Sequence, residues 1–154
     1  MNTVVMLDIG PLGLVTNPKG SDEAMECNRW LVSLLEKGIR VCVPEIADYE
    51  LRRELLRAQK RIGLERLDAL KSTIYYLPIS TEAMLKAAAF WAEARNKDRP
   101  TADNKALDGD MILCGQAAIL AQNNDNPIIA TTNVGHLSFF SDAYHWQEIS
   151  PSTV

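Results

Sequence analysis

Four short apolar runs separated by longer amphipathic segments are what most restrict the fold of this chain. Val4 to Leu7, Ile39 to Val43, Ile74 to Leu77 and Pro127 to Thr131 hold only four or five residues each. That length suits strands buried on both faces better than helices. Between them, Ser21 to Lys37 places Ala24, Cys27, Trp30, Leu31, Leu34 and Leu35 at helical spacing, with Ser21 as cap and Gly38 as stop. Pro44 suits a helix start, and Ala47, Leu51, Leu55 and Ala58 carry one apolar line to about Lys60. Further helices are expected at Leu64 to Leu70 and at Ser80 to Arg95, the latter with Ala83, Met84, Ala87, Ala88, Trp91 and Ala94 inward. Asp110 opens a helix that is apolar nearly all round to Leu120, which implies burial between layers. Gly10 and Pro11 read as the exit loop of the first strand, Asn96 to Lys105 as a loop, and Trp146 to Ile149 as an edge strand. The pattern predicts a three-layer α/β/α domain over residues 1–150, with a central, mostly parallel sheet and a short tail at 151–154.

Composition narrows the function. At 154 residues the chain can bury a core without staples, and Cys27, Cys42 and Cys114 are too scattered for a CxxC metal site or a disulfide framework. They read as buried thiols of a reducing compartment. The opening MNTVVML lacks a basic cluster, and no apolar run reaches the ~18 residues of a membrane span. A cytoplasmic protein with no membrane association is expected. Sixteen Lys plus Arg against 20 Asp plus Glu give a net charge of -4, which argues against passive coating of nucleic acid. An acidic, metal-binding active site remains compatible, because bound cations reverse the local field.

Several acids fall where a parallel sheet places its ligands. Asp8 ends the first strand at the carboxyl edge. Glu50 lies beside Leu51, at the border of the apolar line on the helix after the second strand; an ordinary salt bridge to Arg53 or Arg57 is the competing explanation. Asp103, Asp108 and Asp110 crowd together just before the chain turns apolar, so Asp110, with Asp108 near the same helix N-terminus, needs a counter-ion beyond simple capping. Thr131, Thr132 and Asn133 leave the fourth strand at the same rim and supply short oxygen-bearing side chains. Oxygen ligands without paired histidines or thiols favour Mg²⁺ or Mn²⁺ over zinc. Such ions gather phosphate oxygens and activate water, so phosphodiester hydrolysis needs no serine or cysteine nucleophile. Arg53, Arg57 and Arg61 recur every four residues after Glu50, as a ridge that could face phosphates or simply solvent. Trp30 and Trp91 fit the core better than a base-stacking platform. No GxGxxG, GxxxxGK[ST] or GxSxG motif occurs.

Taken in order, VVMLDIGPLG, IADYELRRELL, LDGDMILCGQAAILA and ATTNVGHLSFF resemble the motifs of PIN domains of the VapC-like toxin type, over essentially the whole chain from Val4 to about Ile149. The resemblance implies a PIN-like fold and a Mg²⁺- or Mn²⁺-dependent endoribonuclease acting on RNA, commonly a homodimer and often silenced by a small antitoxin. It places the family's acids on Asp8, Glu50 and Asp110 and its Thr with a following Asp or Asn on Thr131 and Asn133, so catalysis is expected of Asp8, Glu50, Asp110 and Asn133 and metal binding of Asp8, Glu50 and Asp110; the residues themselves add Asp108 as a secondary metal ligand and Thr131, Arg53, Arg57 and Arg61 as substrate contacts. Asn133 is neutral where the family has an Asp or Asn. Two other readings stand beside this one: a catalytically weak PIN-like interaction or RNA-binding domain, and an aspartyl-phosphate-forming phosphohydrolase built on Asp8. The helices at Ser21 to Lys37 and Ser80 to Arg95 carry the aromatic and aliphatic surface that a dimer would use.

Overall fold

The computed structural model describes residues 2–97 and 104–154. In chain order the elements are β1 (Asn2–Leu7), α1 (Ile9–Thr16), α2 (Asp22–Glu36), β2 (Arg40–Pro44), α3 (Glu45–Arg57), α4 (Arg61–Thr73), β3 (Tyr75–Leu77), α5 (Thr81–Lys97), α6 (Asn104–Gln122), β4 (Asp125–Thr131) and β5 (Ala143–His145). The five strands form one sheet in the order β3-β2-β1-β4-β5, and every pairing is parallel. Helices cover both faces, giving the expected three-layer α/β/α, PIN-like architecture.

Strand periodicity divides the core. Val5 and Leu7 of β1, Val41 and Val43 of β2, and Ile128 and Ala130 of β4 face one side, where Leu12, Trp30, Leu31, Leu34 and Leu67 meet them. Val4, Met6, Cys42 and Ile129 face the other, against Ala87, Met111, Cys114 and Ala117. A strand alternates its side chains with period two, so nearly unbroken apolar runs are needed to fill both layers. The two cores contain all three thiols, and burial pushes each up to about 12. The last residues close the first layer: the Trp30 indole N–H donates to the Ile149 carbonyl at 2.8 Å, and Trp146 packs 5.6 Å from Trp30.

Several local expectations are corrected. Asp8 leads directly into α1 instead of a loop, because its carboxylate caps the Ile9 N–H and Pro11 lies in the first turn, where a missing N–H costs no helix bond. The helix after β2 stops at Arg57: Gln59 adopts a left-handed φ of 55°, and a new helix starts at Arg61. The edge strand is Ala143–His145, and Trp146–Glu148 form a 3-10 turn. On α5, Ala83, Ala87 and Ala94 are buried, whereas Met84, Ala88 and Trp91 are exposed, so Trp91 is a surface residue with Arg95 over its ring. Asn96 and Lys97 complete α5, while Asn104 and Lys105 already belong to α6. The remaining centre of that expected loop, Asp103 included, lies outside the described residues. Among the described residues, no helix is long and apolar enough to cross a membrane.

Candidate active site

Strand order reverses beside β1: the chain steps outward through β2 and β3 on one flank, then returns to place β4 on the other. Where neighbouring strands lead away in opposite directions, their carboxyl ends leave a crevice. Asp8 stands there. Its backbone N–H extends the β1–β4 ladder to the Ala130 carbonyl at 3.0 Å, so the residue is held at the sheet end before its side chain makes any contact. One carboxylate oxygen accepts the Ile9 N–H at 2.8 Å, and the other accepts the Thr131 hydroxyl, also at 2.8 Å.

Thr131 thereby takes a different part from the expected substrate contact. It is only 1 % exposed at the end of β4, and its hydroxyl both serves Asp8 and accepts the Asn133 N–H at 3.1 Å. Asn133 lies just beyond, exposed, with its backbone tied to this hydroxyl. Thr132 packs against α1 at Gly10, where an added Cβ would collide with the Thr132 side chain. The rim is thus closed by a strand end resting on a helix without a side chain in between.

Glu50 and Asp110 complete the arrangement from α3 and α6. Both are half-buried. The salt bridge that competed for Glu50 is absent among the described residues: Arg57 pairs with Glu54 at 2.8 Å, and Arg53 lies over the Tyr49 ring, 5.2 Å from its centroid. Burial first, then the Asp8 carboxylate, raise the proton affinity of Glu50, with Arg53 opposing them. Burial also raises Asp8, against the hydrogen bonds from Thr131 and Ile9. Asp110 is pushed up to about 7 by burial, Asp8 and Glu50. Three carboxylates from three separate elements therefore feel one another. They are not gathered into a closed cage: among the described residues, no three His, Cys, Asp or Glu side chains stand close enough to hold a metal as they are.

Asp108, Arg57 and Arg61 are placed differently. Helix α6 begins at Asn104, so Asp110 sits in its second turn instead of capping its start. Two positions apart on a helix turn side chains ~200° from each other. Asp108 accordingly is exposed and lines a groove with Met84, Trp91 and Ile112 between α5 and α6. The four-residue ridge is broken as well: Arg61 belongs to α4 and lies 3.9 Å from Glu65, and Arg57 is engaged by Glu54. Of the three arginines, Arg53 alone is felt by Glu50. Gly109 was legible only as a flexible spacer. It is helical and buried, and an added Cβ there would strike the Glu50 carboxylate.

No protein-family profile matches the sequence, and no curated protein matches it. Solved structures do. The chain is similar to VapBC2 from Rickettsia felis bound to a DNA fragment from their promoter, with a TM-score of 0.69 and 18 % identity over 93 % of this chain and 98 % of that one. A DNA-bound VapBC from Salmonella typhimurium gives 0.66 and 18 % over 95 % and 99 %. VapBC-1 from nontypeable Haemophilus influenzae gives 0.66 and 17 % over 94 % and 98 %. At this identity the likeness is one of fold: the chain shares the PIN-like fold of these VapBC structures from end to end.

Proposed function

We propose that this protein is a Mg²⁺- or Mn²⁺-dependent endoribonuclease. The observation that carries the reading is geometric: Asp8 is fixed at the β1–β4 strand ends, and the Glu50 carboxylate of α3 lies against α6 at Gly109, next to Asp110. The donor set fits a hard cation: the three carboxylates are not ion-paired among the described residues, and the nearby Cys114 thiol is kept protonated by burial, which disfavours it as a ligand for a soft metal. A bound divalent ion would supply charge for the phosphate oxygens, activation of a water and stabilisation of the leaving oxygen. Asp8 is the oriented ligand, because Thr131 and the Ile9 N–H hold its plane. Glu50 of α3 and Asp110 of α6 would supply the other two carboxylates for such an ion. The Asn133 amide can donate to a phosphate or a water, and Arg53 offers a cation to the RNA backbone. The fold shared with the VapBC structures supports the toxin role within a toxin–antitoxin pair.

A small protein antitoxin belongs to the same reading. A groove of 610 Å³ between α1, α3 and α4, with Gly13, Leu51, Leu55 and Ile62 on its walls and Lys60 and Arg61 at its edge, offers an apolar seat beside cations for a peptide segment with apolar and acidic residues. The central test is RNA cleavage with Mg²⁺ or Mn²⁺ by the wild type and Asp8→Asn. The substitution keeps shape and removes a ligand charge, so cleavage should fall at least ~100-fold with the fold retained. Equal cleavage by the two proteins rejects the assignment.

A further inference from the structure

We infer that Gly109 is a positioning residue for Glu50: its missing side chain is the slot in α6 into which the Glu50 carboxylate fits. The inference rests on the metal-site reading above. Gly109 is buried within a regular helical stretch, so left-handed backbone freedom does not explain the glycine. Alanine would favour this helix by about 1 kcal/mol. What glycine provides is space. An ideal Cβ at this position would overlap one Glu50 carboxylate oxygen and stand 3.1 Å from Cδ and 3.4 Å from the other oxygen. The neighbour of the slot is thus the catalytic-edge carboxylate itself, reaching from α3 to the α6 backbone one residue before Asp110.

The contrast with Gly115, six positions along the same helix, separates two kinds of glycine. A Cβ at Gly115 would strike the backbone carbonyl of Ala83, so that glycine sets the approach of α5 and α6. At Gly109 the obstacle is the far end of a flexible side chain, which can turn aside while the backbones stay in place. A methyl group at 109 therefore spares the fold and displaces the carboxylate. Glu50 would then be turned away from Asp8 and Asp110 by the width of the methyl group, and a cation bridging the three would lose one ligand.

Mn²⁺ calorimetry on the intact protein tests this, with melting curves in EDTA run alongside. Gly109→Ala should melt within a few degrees of the wild type yet bind Mn²⁺ roughly 10-fold more weakly, the size expected when a group that orients a ligand is lost. Glu50→Asp alone should also bind weakly, because the shorter side chain falls short of the cation. Combined with Gly109→Ala, it should regain affinity relative to the product of the two single losses, since the shorter carboxylate fits beside the methyl group. Equal Mn²⁺ affinity in wild type and Gly109→Ala overturns the inference while leaving the metal site intact, as does strict additivity of the two changes. Absence of Mn²⁺ binding by the wild type overturns the metal reading itself, and this inference with it.

Discussion

Asp110→Asn separates the stability of the site from its chemistry. In the metal-free protein, burial and the Asp8 and Glu50 carboxylates move Asp110 from 3.8 to about 7. At 1.36 kcal/mol per decade the displacement corresponds to about 4 kcal/mol as a ceiling. Solvent reaches part of the side chain and the three acids share the cost, so about 2 kcal/mol is the working figure. The sign follows from proton counting. Between pH 4 and pH 7 the folded chain keeps a proton that the unfolded chain has released, so stability falls as pH rises, and above pH 7 the ionised group bears the full penalty. An amide at position 110 removes that burden. In EDTA at pH 8 the variant should be more stable than the wild type by about 2 kcal/mol, or roughly 4–8 °C for a chain of this size. At pH 5 the advantage should shrink to less than half. Saturating Mn²⁺ should reverse the order, because at ~100 times its dissociation constant a ligand adds ~2.7 kcal/mol to the protein that binds it. Urea unfolding at both pH values, with and without Mn²⁺, reads all three outcomes. An Asp110→Asn protein no more stable than wild type at pH 8 in EDTA, or equally advantaged at both pH values, refutes the reasoning.

Two further outcomes test the site's surroundings. Thr131→Val keeps the shape of a buried side chain but deletes the hydroxyl that donates to Asp8, so Mn²⁺ affinity should fall roughly 10-fold while Thr131→Ser retains most of it; identical calorimetric affinities for Val and Ser variants would show that the hydroxyl does not orient Asp8. Leu55→Arg places a charge in the groove between α1, α3 and α4 and should abolish binding of the proposed antitoxin in a pull-down without lowering RNA cleavage, and undiminished binding removes the groove from the proposal.

The order of strands and helices was legible because both periods are written in the chain. Residues Val4 to Leu7 need apolar neighbours on two faces, and residues Ala24 to Leu34 repeat at helical spacing. Asp8 was legible too, since a carboxylate ending a buried strand lies at the ligand edge of a parallel sheet. Glu50 and Asp110 stood out as acids bordering apolar helices, but their mutual influence depends on α3 packing on α6, which sets the Glu50 carboxylate against Gly109 next to Asp110. Local rules failed where a helix began or ended. Asp110 and Asp108 read as one helix start, yet α6 begins at Asn104 and the helical turn sends Asp108 outward. Arg61 was in register with Arg53 and Arg57 until the left-handed Gln59 ended the helix between them. Thr131 could be seen as an oxygen at the rim, but only the β1–β4 pairing brings its hydroxyl to Asp8 across 123 residues of sequence. Gly109 illustrates the limit most directly: in sequence it is the absence of a side chain between two acids, and only the packing of α3 against α6 turns that absence into room for Glu50. Periodicity along the chain determines which faces are buried, whereas the meeting of distant side chains is decided by how the layers stack.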